Sequence, residues 1–406
     1  MSANITVLKD GSVTSAKGFL AGSVFAGIKK PGPNKRDLGL IVSERPAVSA
    51  GTFTKNTIVS PSVVASRDVI KAAGPVMGIV ANSGCANCAV GPFGLKDANE
   101  TQALAAKAIG AKAGEVLICS TGVIGVELPM ALIRKHMGTI KPARDGGHDF
   151  ARAVMTTDTR PKEIAVSFKA GAKTVTIGGC AKGAGMIHPN MATMLAFITT
   201  DAAVDQSFLR KTLSDAVAVS FNQIDVDTDT STNDTVLLLA NGAADNTAFK
   251  GGDAPSRSFA EAVRQVCEYL AKEIARDGEG AKHLIECTVE GAKTESDART
   301  ISRSIVSSPL VKTAVYGRDP NWGRIMMAIG KTGIPVAEAK IQIFINGIQI
   351  VEGGVAIPYN IQSVVAALGE HEVCLRVALH LGSGNGVAWG SDLTEGYVVE
   401  NSAYTT

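Results

Sequence analysis

Short apolar runs built largely from Val, Ile, Leu and Ala recur along the chain: LGLIVS, VMGIVA, VLICS, TVTIGG and MLAFIT. Each is too short for a buried helix and ends in small or polar residues, so each reads as a buried strand whose end is free to carry a site. Helical patterns separate several of them. With 43 glycines and only 5% aromatic residues, the expectation is close-packed sheets covered by helices.

The clearest helix follows Ser258. Ser258 and Glu261 have the spacing of a capping box, and Phe259, Val263, Val266, Leu270 and Ile274 fall on one face before Gly278 stops the run. Near the C-terminal end, KIQIFINGIQIVEGG alternates apolar and polar residues around Asn346-Gly347, the pattern of a tight antiparallel hairpin. At 406 residues the chain exceeds what one hydrophobic core usually supports, so two lobes or two cores are expected.

The balance of charge narrows the function classes. A net charge of +2, with 45% hydrophobic and 19% charged residues, describes a globular protein and gives no footprint for nucleic acid. No apolar run reaches the roughly 18 residues of a membrane span, and the start MSANITVLKDGSV lacks the blocks of a signal peptide. The expectation is a cytoplasmic protein with no membrane partner. Seven scattered cysteines read as reduced thiols, and the CxxC pair Cys85 and Cys88 reads as two incidental small residues rather than a redox or zinc site.

Several familiar motifs fail on inspection. GSGNG at 382–386 has its serine one place too early for a nucleophile elbow. GKT at 330–332 has Ile325 where a phosphate loop needs its first glycine. DVDTDTSTND, Asp225 to Asp234, alternates carboxylates like a calcium loop but carries Thr230 at the turn position, and reads as a solvated loop; no metal site is expected. His188 in IHPN reads as turn chemistry, with a general base as the alternative. Lys182 is flanked by glycines that permit close approach of a ligand, and stays a functional candidate.

One stretch, KGAGMIHPNMATMLAF (182–197), leads glycines and a His-Pro-Asn turn into an apolar run that begins near Thr193. As an internal residue Thr193 is a poor nucleophile. If the Ala192–Thr193 bond were broken, its new α-amino group, with an ordinary pKa of about 7.7 to 8.0, would take the proton from its own hydroxyl. Taken alone, however, a threonine that merely starts a strand explains the residue as well.

KGAGMIHPNMATML resembles the self-processing segment of the ornithine acetyltransferase family, also called glutamate N-acetyltransferase. Further segments agree along the whole chain: KGF at Lys17, SAGTFTKN from Ser49, STG at Ser120, TTDT at Thr156, GEGA at Gly278, DPNWGRI from Asp319 and the terminal NSAYTT. The loop NSGCANCAVG departs from the family pattern by carrying cysteines.

The resemblance implies an α/β fold of stacked β-sheets flanked by helices, an αββα arrangement like that of N-terminal-nucleophile enzymes. It implies self-cleavage between Ala192 and Thr193 into an α chain, 1–192, and a β chain, 193–406, assembled as α2β2. The implied reaction moves an acetyl group from N2-acetyl-L-ornithine to L-glutamate through an acetyl-threonine, a ping-pong scheme of arginine biosynthesis. Thr193 is the implied nucleophile, Thr121 and Gly122 the oxyanion hole, and Thr156, Lys182, Thr193, Glu279, Asn401 and Thr406 the substrate contacts. No cofactor is implied, and acetyl-CoA stays open as a second donor. The rivals are an amidohydrolase or aminopeptidase with the same nucleophile, and an uncleaved binding protein that is not an enzyme.

Overall fold

A computed structural model of the chain describes residues 5–32, 34–188 and 194–403. All five apolar runs are strands: they lie in Leu38–Phe53, Val76–Cys85, Val116–Val123, Lys173–Lys182 and Leu195–Thr200. Among the described residues these belong to a nine-stranded sheet. Its order is Thr6–Val7, Lys162–Ala170, Lys173–Lys182, Leu195–Thr200, Thr235–Ala240, Leu38–Phe53, Val76–Cys85 and Val116–Val123, with Phe19–Val24 also paired to Leu38–Phe53.

The 16-residue strand Leu38–Phe53 belongs to two wings of this sheet. Its first part pairs with Phe19–Val24 and Val76–Cys85, its last part with Thr235–Ala240, and the register shifts between Val42 and Ala47. Side chains then alternate between two burial sites, because successive strand residues face opposite sides. Leu195, Phe197, Leu237 and Leu239 of one wing share a core with Ile41, Ile79, Leu117 and Cys119 of the other. The wings are therefore stacked face to face.

Their outer faces are covered by helices. Ala196, Ile198, Val236 and Leu238 pack on the helices Gln206–Val219 and Ala254–Arg276, while Leu40, Val80, Val116 and Ile118 pack on Pro61–Ala72 and Phe93–Ile109. This is the expected αββα order. A second, seven-stranded sheet carries the Asn346-Gly347 hairpin as Gln342–Ile345 and Ile348–Glu352. It forms its own core with helices including Glu295–Val306 and Trp322–Gly330, so the expectation of more than one core holds.

The long helix differs from expectation at its start. It begins at Ala254, with Asp253 capping through a bond from Ser256 N–H at 2.8 Å. Ser258 lies inside it and donates its hydroxyl to Ala254 O at 3.1 Å. Pro255 suits the first helical turn, where its missing N–H costs nothing, so the helix extends one turn beyond the capping-box spacing. The apolar face is as expected, with Phe259, Val263, Val266, Leu270 and Ile274 all buried.

Phe150 fixes the space between the wings, meeting Phe197 edge-on with ring centroids 5.1 Å apart. Both are fully buried. Phe150→Ala is expected to cost about 3–5 kcal/mol of stability through lost burial and the cavity left behind, read as a lower urea midpoint at unchanged slope.

Candidate active site

The two wings converge at the ends of Val116–Val123 and Lys173–Lys182, and there a cavity of about 310 Å³ opens. Its walls include Thr121, Gly122, Thr156, Lys182, Glu279 and Asn401, residues far apart in sequence that the fold brings together. Thr193, Ala192 and Thr406 lie outside the described residues. Met194, which follows Thr193, is described: its carbonyl accepts the N–H of Thr235 at 3.0 Å, close in sequence to Asn233 in the cavity wall.

Thr121 and Gly122 sit where the parallel ladder with Val76–Cys85 becomes irregular. Gly122 has φ +129° and faces Gly84, φ +103°. A Cβ at 122 would lie 2.3 Å from the Gly84 carbonyl carbon, so only glycine permits this approach. Beneath it, Ser120 donates to Asn82 Oδ1 at 2.7 Å and meets the Ser62 hydroxyl at 2.8 Å, while Asn233 Nδ2 donates to Ala86 O at 2.6 Å and to Ser120 O at 2.8 Å. Asn233 thereby ties the loop before one wing's strand to the other wing.

Lys182 ends its strand almost fully buried, 4% exposed, with Nζ 3.4 Å from Thr121 Oγ1. Burial lowers its pKa, the Asp158 charge opposes that, Lys162 adds to the lowering, and Asp234 and Glu279 also favour the cation. On the opposite side Glu279 accepts Asn401 Nδ2 at 2.8 Å, and its N–H bonds Ala184 O at 2.9 Å. Asn401 comes from the helix Glu395–Ala403. Gly185 leaves room for the Glu279 carboxylate, since a Cβ there would lie 2.2 Å from Oε1. The cavity thus pairs one buried cation with one buried anion.

A charge network supports it. Asp158 accepts Lys162 Nζ and Gly183 N–H, both at 2.7 Å, and Thr156 N–H at 3.0 Å. Burial pushes the Asp158 carboxyl up, but Lys162, Lys182 and these bonds outweigh it and hold the carboxyl well below the usual range. Lys162 also reaches Asp277 Oδ2 at 2.5 Å, and Asp277 accepts the Thr159 hydroxyl. Asp234 is buried nearby; burial pushes its carboxyl well above the usual range, with Met194 N–H and Lys182 opposing only in part.

The structure places the other sequence candidates as follows. His188 Nδ1 meets Asp225 Oδ1 at 2.7 Å; the Pro and Asn of the expected IHPN turn lie outside the described residues. The solvated-loop reading of Asp225–Asp234 is wrong: only Thr228 and Asp229 are exposed. Asp225 is paired with Lys312 at 3.0 Å and meets His188 Nδ1, and Asp227 accepts the N–H groups of Met186 and Ile187. Among the described residues no group of three His, Cys, Asp or Glu side chains is placed to hold a metal. Cys85 and Cys88 are buried free thiols. Asn233, Asp158, Lys162 and Asp277 are the supporting residues that sequence reasoning missed; the Asp158–Lys162 spacing was the one local signal.

Comparison with known proteins follows the same lines. The model of the ArgJ family matches residues 20–406. The arginine biosynthesis bifunctional protein ArgJ of Dehalococcoides mccartyi is 47% identical over 406 residues, covering the whole of both chains. Its counterpart from Bacillus cereus is 44% identical over 406 residues, covering all of this chain and 99% of that protein. The crystal structure of arginine biosynthesis bifunctional protein ArgJ from Bacillus halodurans aligns with 45% identity and a TM-score of 0.51, over 52% of this chain and 100% of the crystallised one.

Replacing Lys162 by Met strands Asp158 and Asp277 without their shared cation, at an expected cost of about 3–5 kcal/mol at pH 7. The sign with pH follows from the depressed Asp158 pKa. Its contribution is present above the unfolded carboxylate value of about 3.9 and is lost as pH falls below that. Urea unfolding at descending pH should therefore show the Lys162→Met deficit shrinking on the acid side.

Proposed function

The chain belongs to the ArgJ family, and on that premise we propose that it transfers an acetyl group from N2-acetyl-L-ornithine to L-glutamate through an acetyl ester on Thr193. The observation that carries this reading is the shared cavity of Thr121, Gly122, Thr156, Lys182, Glu279 and Asn401. An α-amino acid brings a carboxylate and an ammonium. Lys182 and Glu279 meet them with opposite charges through charge-assisted bonds, and Thr156, Asn401 and Thr406 complete the contacts.

In the reaction, the chain is first cut between Ala192 and Thr193, giving 1–192 and 193–406. The freed α-amino group takes the Thr193 hydroxyl proton as Oγ attacks the acetyl carbonyl. Donors at Thr121 and Gly122 stabilise the oxyanion, and the proton passes to the departing ornithine amine. Glutamate then attacks the ester and leaves as N-acetyl-L-glutamate, a ping-pong scheme. No cofactor enters, and acetyl-CoA serves as a second acetyl donor, in keeping with relatives named as bifunctional.

Two observations support the division of the chain. The crystallised relative is matched over its whole length yet accounts for 52% of this chain, close to the share that 193–406 would occupy. Strands Lys173–Lys182 and Leu195–Thr200, on either side of the cut, are paired from Ile177↔Thr200 to Lys182↔Leu195, so the two pieces would stay together after scission. Doubling to α2β2 rests on the resemblance. A cytoplasmic location is in keeping with the free thiols, and no described helix is long and apolar enough to cross a membrane.

The test is the Thr193→Ala protein. Intact mass under denaturing conditions should give two chains meeting at Ala192 and Thr193 for the wild type. The variant should give one full-length chain and no acetyl transfer. A cleaved Thr193→Ala product would sink the mechanism.

A further inference from the structure

Apart from the catalytic cavity and a larger one of about 490 Å³ that adjoins it at Gly122, Val123 and Thr156, a cavity of about 430 Å³ lies along the helix Glu295–Val306. Ala298, Ile301 and Ile305 of that helix turn into the core of the seven-stranded sheet. Ser296, Arg299, Thr300, Arg303 and Ser304, spaced by three and four residues, line the cavity instead. Lys331, Thr332 and His188, five residues before Thr193 in sequence, extend the wall, which holds no carboxylate among the described residues.

A polar helix face that met only water would leave its charges hydrated. Arg303 is not in that state: it is half-buried, its Nε and Nη2 are closed off from solvent, and neither has a hydrogen-bond partner among the described residues. Burial lowers its pKa, and the charge opposing this is Asp225, which already pairs with Lys312 at 3.0 Å and meets His188 Nδ1. One carboxylate thus serves several basic groups. Arg299 Nη1 meets the exposed Glu295 at 3.3 Å, a kind of pair that contributes little. Lys331 is exposed and forms no ion pair among the described residues. The hydroxyls of Thr300, Ser304 and Thr332 donate to the carbonyls of Ser296, Ala328 and Ile329, so the wall meets a ligand chiefly with its cations.

We propose that this cavity binds a phosphate group, carried by a small organic molecule or free as inorganic phosphate, held by Arg299, Arg303 and Lys331. A phosphate monoester brings a charge of about −1.5 to −2 at pH 7 and three strong acceptor oxygens. The Arg299 guanidinium offers it a two-pronged fork, and Arg303 adds a poorly hydrated charge, whose attraction is correspondingly stronger. A carboxylate brings one charge to three cations, and a free amino acid adds an ammonium for which the wall has no acid. The site is therefore chemically unlike the cavity of Lys182 and Glu279, and the inference does not depend on the acetyl-transfer reading.

Isothermal titration of the purified protein with inorganic phosphate and with ribose 5-phosphate, at ionic strength held constant with sodium chloride, tests the site. At least one of the two should bind saturably, one per protein, and ribose alone should not bind. Arg303→Met and Lys331→Met should each weaken that binding about tenfold or more. Tighter binding of ribose 5-phosphate would identify an organic phosphate as the occupant, and equal affinity free phosphate. Lys331 is exposed, so Lys331→Met decides alone should Arg303→Met fail to fold. No saturable binding of either probe would overturn the proposal. Binding that Lys331→Met leaves unchanged would overturn it too, by placing the anion elsewhere on the protein.

Discussion

The antiparallel ladder between Lys173–Lys182 and Leu195–Thr200 is the interaction on which the rest depends. It lies on both sides of the proposed cut, in the middle of the wing that packs against the helix Ala254–Arg276. Backbone bonds of this kind are indifferent to whether the connecting peptide is intact, because their cost of ordering is met by the buried faces of the sheet. The fold can therefore contain a broken chain without losing its core. The last rung pairs Lys182, in the cavity wall, with Leu195, two residues after Thr193 in sequence.

Electrostatics then divides the neighbourhood into two chemically distinct spaces. Lys182 and Glu279 give the smaller cavity one charge of each sign, while Asp158, in the wall of the larger cavity, is held by Lys162 and backbone donors. Even so paired, the Asp158 carboxylate acts on the Lys182 ammonium and favours its charged form against burial. A buried network of this sort is weak as a source of stability. Its role in this account is to fix Asp158 beside the Lys182 end of the smaller cavity.

Strands were legible because their faces are buried on both sides and their sequences are nearly continuous apolar runs, and the hairpin because Asn346-Gly347 is a strong local turn signal. The helix start was misplaced because Asp253 caps as well as Ser258, and the choice depends on where the preceding loop packs. The Asp225–Asp234 loop was misread because its carboxylates suggested water, whereas Lys312, which satisfies Asp225, lies 87 residues further on. Asp277 is likewise 115 residues from Lys162. Lys182 was singled out by its flanking glycines, and Thr121, Gly122, Thr156, Glu279 and Asn401 through resemblance; their meeting in one cavity is a property of the folded chain that periodicity and spacing do not encode.

The central claim is that Thr193 carries the acetyl group between donor and acceptor. The most direct measurement incubates the protein with N2-acetyl-L-ornithine without glutamate, quenches in acid and weighs the chains. The account predicts a 193–406 chain heavier by one acetyl group, mapped to the Thr193 hydroxyl and discharged on adding glutamate. Acetyl on another residue, or transfer proceeding with no acetylated chain at any time, would contradict it.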